Sequence, residues 1–188
     1  MNKILLVFLL VLGFCSHGLG DSCPWPNGTD KALHWWLDPN NLVTIHDVQL
    51  YDANGNPEYP VNLLGQLYMT INLTYTGPAI TNFRLDEDIA EWGGFSGDDC
   101  KWSDLPTFGL LSNLDACAQG FHCPFEPGNH ILQLETDFTN YDVIINLLKN
   151  DTPYELTYDL TNKDTGDKIV IHAQARCITQ NPTSAPKH

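Results

Sequence analysis

The densest group of chemistry-bearing side chains is "CAQGFHCPFEPG", Cys117 to Gly128, with two cysteines six positions apart and His122 beside the second. Such a segment can supply half a metal site, a redox pair or a stapled loop. Zinc requires a further cysteine or histidine pair at ligand spacing. Neither His122 nor His130 has one, so no metal is expected. Redox pairs are more often C-x-x-C, and this is C-x5-C. A stapled loop remains, provided the compartment is oxidising. No catalytic constellation accompanies it. "GGFSGD" offers Ser96 in the manner of a nucleophile elbow, but Asp98 stands where the second glycine belongs. "YDANGNPEY" has oxygen ligands in a row without the calcium-loop spacing, and it reads as a turn. His46, His122 and His172 are scattered and read as surface or turn residues. The expectation is a protein that is not an enzyme and needs no cofactor.

The compartment follows from the N-terminus. Lys3, the apolar run "ILLVFLLVLGF" and the small residues Gly18 and Gly20 make residues 1–20 a secretory signal peptide. The run is shorter than the roughly 20 apolar residues of a membrane span. Residues 21–178 are expected to form one domain, and "TQNPTSAPKH" (179–188) a disordered tail. The sequons at Asn27, Asn72 and Asn150 suit a glycoprotein, whereas Asn181 is blocked by Pro182. Cys15 leaves with the signal, so an odd number of cysteines remains: Cys23, Cys100, Cys117, Cys123 and Cys177. With 23 acidic against 9 basic residues the net charge is −14, which repels phosphate backbones and makes nucleic acid an unsuitable partner. The destination is the extracellular space or the endolysosomal lumen, and a monomer is expected.

Strands must carry these residues. In "QLYMTINLTYT", Leu67, Met69, Ile71, Leu73 and Tyr75 share one face, and the sequon Asn72 falls on the other. "YELTYDL" and "KIVIHAQARC", joined by "NKDTGD", predict a hairpin with Leu156, Tyr158, Leu160, Ile169, Ile171 and Cys177 on its apolar side. The phase of "LVTIHDVQLY" slips at His46–Asp47 and predicts a bulge. "TNFRL", "ILQLE" and "YDVIINLL" are weaker strands, and a short helix is a candidate within 101–116. This pattern predicts an all-β, antiparallel two-sheet sandwich. Trp25, Trp35, Trp36, Trp92 and Trp102 fall outside the strands so defined. For the first three the reading is a cap on the core. For Trp92 and Trp102 it stays open between a core cap and a lipid-facing mouth.

The C-x5-C pair followed by proline, placed after a "NLTY" strand, resembles the ML family of lipid-recognition domains. Cys117, Gly120, Cys123 and Pro124 look like the Niemann–Pick-type cholesterol carriers, and "CPFEPG" and "IAEWGGFSGDDC" like the ganglioside activator proteins. The resemblance implies an immunoglobulin-like cup whose sheets part around an apolar cavity for a sterol, a fatty acyl chain or a glycolipid. It implies disulfides Cys23–Cys177 and Cys117–Cys123, with Cys100 free and the C-x5-C clip at the edge of the sandwich. Cavity lining would come from Leu67, Met69, Ile71, Leu73, Val143, Ile145, Leu156, Tyr158, Ile169 and Ile171. The same residues would simply be core in a filled sandwich. Trp92, Phe95, Trp102, Phe108, Leu110 and Leu111 are candidates for the cavity mouth and for transient membrane contact. The function expected is lipid binding and transfer, with a lipid-handling receptor or enzyme as a further partner. The alternatives are an innate-immune lipid sensor that docks on a receptor, and an adhesion module with a dry core.

Overall fold

The alternating stretch is strand β4 (Gln66–Tyr75), which buries Met69, Ile71, Leu73 and Tyr75 and leaves Asn72 exposed. The structure is a computed structural model and describes residues 23–93 and 99–180. The expected signal peptide, the tail from residue 181 and Phe95 lie outside the described residues. β4 pairs antiparallel with β2 (Val43–Tyr51) on one side and β8 (Gly128–Asp137) on the other. The β2–β4 register shifts between Ile45 and Asp47, so His46 is the extra residue of the expected bulge.

The second sheet contains β1 (His34–Leu37), β5 (Phe83–Gly93), β6 (Asp99–Asp104), β9 (Thr152–Asn162) and β10 (Lys168–Ile178) in the order β1-β10-β9-β5-β6. Two short strands attach to it. β3 (Val61–Asn62) pairs with β10 in parallel, and β7 (Leu114–Asp115) pairs with β5. β9 and β10 form the expected hairpin, closed by Asn162 N–H to Asp167 O (2.9 Å) and Gly166 N–H to Asn162 O (2.8 Å). The two sheets pack face to face as an all-β sandwich.

Two apolar clusters hold the sheets together. The larger joins Ile71, Leu73 and Tyr75 of β4 to Phe83 and Leu85 of β5, Leu160 of β9, and Ile169 and Ile171 of β10. It is closed by Phe121 and Phe125, whose rings lie 5.5 and 6.1 Å from that of Phe83. The second gathers Val61, Leu63, Leu148, Tyr154, Ala175 and Cys177.

Several expectations are corrected. "YDVIINLL" is not a strand. After β8, Asp137 Oδ1 accepts from the N–H of Thr139 (3.1 Å) and starts a 3-10 turn, Phe138–Tyr141, that runs into helix α1 (Asp142–Ile145). Ile144 and Leu148, four apart, are buried, which is helical spacing. A short apolar run fits either period, and the turn chemistry decided it. No helix occupies 101–116. Residues 99–104 are β6, and a 3-10 turn begins only at Ala116. Trp35, Trp36, Trp92 and Trp102 are strand residues: the first two lie in β1, Trp92 in β5 and Trp102 in β6. Thr179 and Gln180, assigned to the tail, donate their N–H groups to Asn150 Oδ1 at 2.9 and 3.0 Å.

The disulfide framework is also corrected. Cys23 bonds Cys100, not Cys177, and Cys177 is a free, buried thiol. The reason is which face of the sheet each group occupies. The N-terminal segment crosses the outer face of the larger sheet, where Trp92 Nε1 donates to Pro24 O (3.0 Å) and Asn27 Nδ2 to Gln174 Oε1 (2.7 Å). Cys177, odd-numbered on β10 like Ile169 and Ile171, points the other way. Cys117 and Cys123 are joined, with Cα atoms 5.6 Å apart. In the chain-entropy view the Cys23–Cys100 loop contributes about 4–5 kcal/mol and the short one about 2. Burial pushes the Cys177 thiol up to about 12, so it is a poor nucleophile. Peptide mapping without reduction is expected to recover Cys23–Cys100 and Cys117–Cys123. Cys177 should resist alkylation until the chain is unfolded; a Cys23–Cys177 peptide would contradict the fold.

Candidate functional site

Beside the two clusters the sheets leave a space between Leu67 and Met69 of β4 and Ile89 and Leu156 of the larger sheet. Sheet β2-β4-β8 has three strands against five in the main path of its partner, so part of the larger sheet's inner face lies beyond strand cover. The segment from Leu111 to Gly120 and the turn-helix from Phe138 to Ile145 lie over that part. They border a partly open cavity of about 550 Å³, inside the range of about 300–1,000 Å³ typical of small-molecule sites. Its walls are Leu67 and Met69 of β4, Ile89 of β5, Leu156 and Tyr158 of β9, and Phe138, Ile144 and Ile145. It opens past the edge of β8, where Gln133, Glu135 and Asp137 meet Ala118, Gln119 and Gly120.

The Cys117–Cys123 clip forms one lip of this opening. Asp115 Oδ1 accepts from Cys117 N–H (3.0 Å) and starts the turn, and Gly120 ends it at φ +101°. Gly120 also packs on β8: a Cβ there would lie 3.0 Å from Leu134 Cδ2. Beyond the clip, Phe125 exchanges backbone hydrogen bonds with Ile80 at 2.8 and 3.0 Å, which anchors the loop to the larger cluster.

The residues proposed from sequence fall into two groups, with Met69 and Tyr158 touching both the cavity and the larger cluster. Leu67, Met69, Ile145, Leu156 and Tyr158 line the cavity. Ile71, Leu73, Ile169 and Ile171 are in the packed cluster instead. Val143 falls in α1, and its side chain is outside the described residues. Of the mouth candidates, Leu111 lines the cavity, and Phe108 and Leu110 are exposed just before it, at 69% and 50%. Trp92 and Trp102 lie elsewhere. They face each other across β5 and β6 with ring centroids 5.2 Å apart, beside the N-terminal segment.

Sequence reasoning missed Glu87. Strand β5 turns Phe83, Leu85, Glu87, Ile89 and Glu91 toward the inside, opposite Asn162, Leu160, Tyr158, Leu156 and Tyr154 of β9. The two acids differ in their partners. Glu91, 3% exposed, pairs with Lys149 Nζ and accepts from the Tyr154 hydroxyl (3.1 Å). The Glu87 carboxyl lines the cavity and has no hydrogen bond or ion pair among the described residues. Burial in that wall pushes it up to about 7. Burial, and secondarily the charge of Glu87, pushes the Tyr158 hydroxyl well above the ordinary tyrosine range. The remaining acids of the opening are engaged: Asp137 caps the following turn, and Glu135 bonds Tyr68 on the outer face. Among the described residues no group of three His, Cys, Asp or Glu is placed to hold a metal ion.

No family model matches the chain, and no curated protein matches it in sequence. Among solved structures it is similar to a Niemann-Pick type C2 protein from Japanese carpenter ant, at 9% identity and a TM-score of 0.47, covering 77% of this chain and 98% of that one. It is also similar to the C-terminal domain of wzt, at 8% identity and a TM-score of 0.41, covering 80% and 81%. At these values neither likeness bears on function.

Glu87 gives a testable sign. Its carboxyl sits near 4.5 in the unfolded chain and near 7 in the folded one. Its contribution to stability is therefore fully present below 4.5 and is lost as pH rises to about 7. Glu87→Gln removes that slope. Urea unfolding across this window is expected to show the wild type losing up to about 3 kcal/mol more than the variant. Parallel curves would place the carboxyl in water.

Proposed function

We propose that this chain is a secreted or lysosomal carrier that binds one lipid or similar amphiphile between its sheets. One observation carries the reading: a cavity of about 550 Å³ between the sheets, with Leu67, Met69, Ile89, Ile144, Ile145 and Leu156 forming its apolar wall and polar side chains at its border. Each methylene moved from water to those walls is worth about 0.8 kcal/mol, so an acyl chain or sterol binds without any bond-making. The resemblance of Cys117, Gly120, Cys123 and Pro124 to the ML lipid-recognition pattern supports the same reading.

The exposed Phe108 and Leu110, just before the cavity residue Leu111, are the surface by which the opening would touch a membrane during loading. Delivery would be to a lipid-handling receptor or enzyme. Asn27, Asn72 and Asn150 are exposed and are the proposed glycan sites. Asn72 lies on the outer face of β4, away from the cavity.

The test is a titration with the neutral apolar dye N-phenyl-1-naphthylamine. Saturable fluorescence enhancement at one site per chain is expected. Leu67→Trp and Leu156→Trp, which fill the cavity from opposite sheets, should each weaken it at least about tenfold while circular dichroism stays unchanged. No enhancement with the wild type, or full binding by both folded variants, would overturn the proposal.

A further inference from the structure

Resting on the carrier reading, we infer that the cavity selects amphiphiles with a cationic amine head, seating the ammonium between the Glu87 carboxyl and the Tyr158 hydroxyl. Three observations carry this. Among the described residues the cavity lining includes no Lys, Arg or His, so none of them offers it a positive charge. Glu87 stands on the inner face of β5, directly opposite Tyr158 on β9, with apolar Met69, Ile89 and Leu156 also lining the cavity. Its carboxyl is unpaired among the described residues, although the same strand gives its other inward acid, Glu91, a lysine and a tyrosine. A half-buried carboxylate without a counter-charge is costly, and it is stabilised most by a cation that arrives with the ligand. An ammonium donates to both Glu87 and the Tyr158 oxygen, and its chain then lies along the apolar walls. A fatty acid carboxylate at the same place meets like charge.

Among the described residues the other titratable groups around the cavity are Tyr158 on β9, Tyr141 in the turn before α1, and Glu135 and Asp137 on β8. None is basic, so protonation of Glu87 is what removes the attraction. The carboxyl titrates near 7, so the amine is held above neutrality and loosened in an acidic compartment.

Displacement of N-phenyl-1-naphthylamine by dodecylamine, dodecanol and laurate tests this, because the three share one chain and differ only in the head. At about pH 8 dodecylamine is expected to displace the dye at a concentration at least about tenfold lower than laurate. At about pH 5 that ratio should fall severalfold. Glu87→Gln should bring the amine and laurate together at both pH values. Laurate equal to or better than dodecylamine in the wild type at the higher pH overturns the inference and leaves the carrier reading standing. An amine preference that survives in Glu87→Gln also overturns it. Failure of the dye itself to bind overturns both readings. Should the variant not fold, the wild-type ratio and its pH dependence alone decide.

Discussion

The inner face of β5 has to satisfy two different demands along a single strand. Near Phe83 and Leu85 it packs into the larger apolar cluster, and at Glu91 it meets the buried Tyr154 and the partly exposed Lys149. Between these ends, at Glu87 and Ile89, it faces a gap that the opposite sheet lines only with Leu67 and Met69. Everything distinctive about the molecule follows from that gap. Loops and one helical turn must cover it, a disulfide must fix the loop that forms its lip, and the side chains facing it line a cavity instead of a core.

The covering elements are held from outside as well as from within. The N-terminal segment is bonded to β6 through Cys23–Cys100 and to β10 through Asn27 and Gln174, and so straps the outer face of the larger sheet. Tyr59 adds a second tie, donating its hydroxyl proton to Thr29 O and accepting from Arg176 N–H. Gln174, 2% exposed, is buried by this strap and satisfied by Asn27 and Glu155. The sheet that carries Glu87 and Tyr158 is thus braced on the face opposite the cavity, which keeps the wall in place when nothing packs against it.

Much of the sandwich was legible because a strand with one buried face has a period of two. β4, the β9–β10 hairpin and the bulge at His46 all rest on that period. The Cys23 partner was not legible. Alternation places Cys177 on the inner face, but no sequence pattern states that the N-terminal segment crosses the outer one. β6 escaped notice because "DCKWSD" is an edge strand with little apolar character, and α1 because three consecutive apolar residues carry no clear period. Glu87 could have been found: in "FRLDEDIAE" the alternation of Phe83, Leu85 and Ile89 puts it inward, an acid where the pattern demands an apolar residue. The lining was half legible for a related reason. Sequence distinguishes inward from outward positions, whereas packed and cavity positions differ only in what the opposite sheet supplies.

The central claim is that the space between the sheets is a chamber for a ligand and not a packing fault. Native mass spectrometry of the chain purified from a secretory host, without organic solvent, tests it most directly. The account predicts a population heavier than the glycosylated polypeptide by the mass of one amphiphile, released on activation and identifiable by fragmentation. A single species at the bare polypeptide-plus-glycan mass, unchanged after incubation with lipid extract, would contradict it.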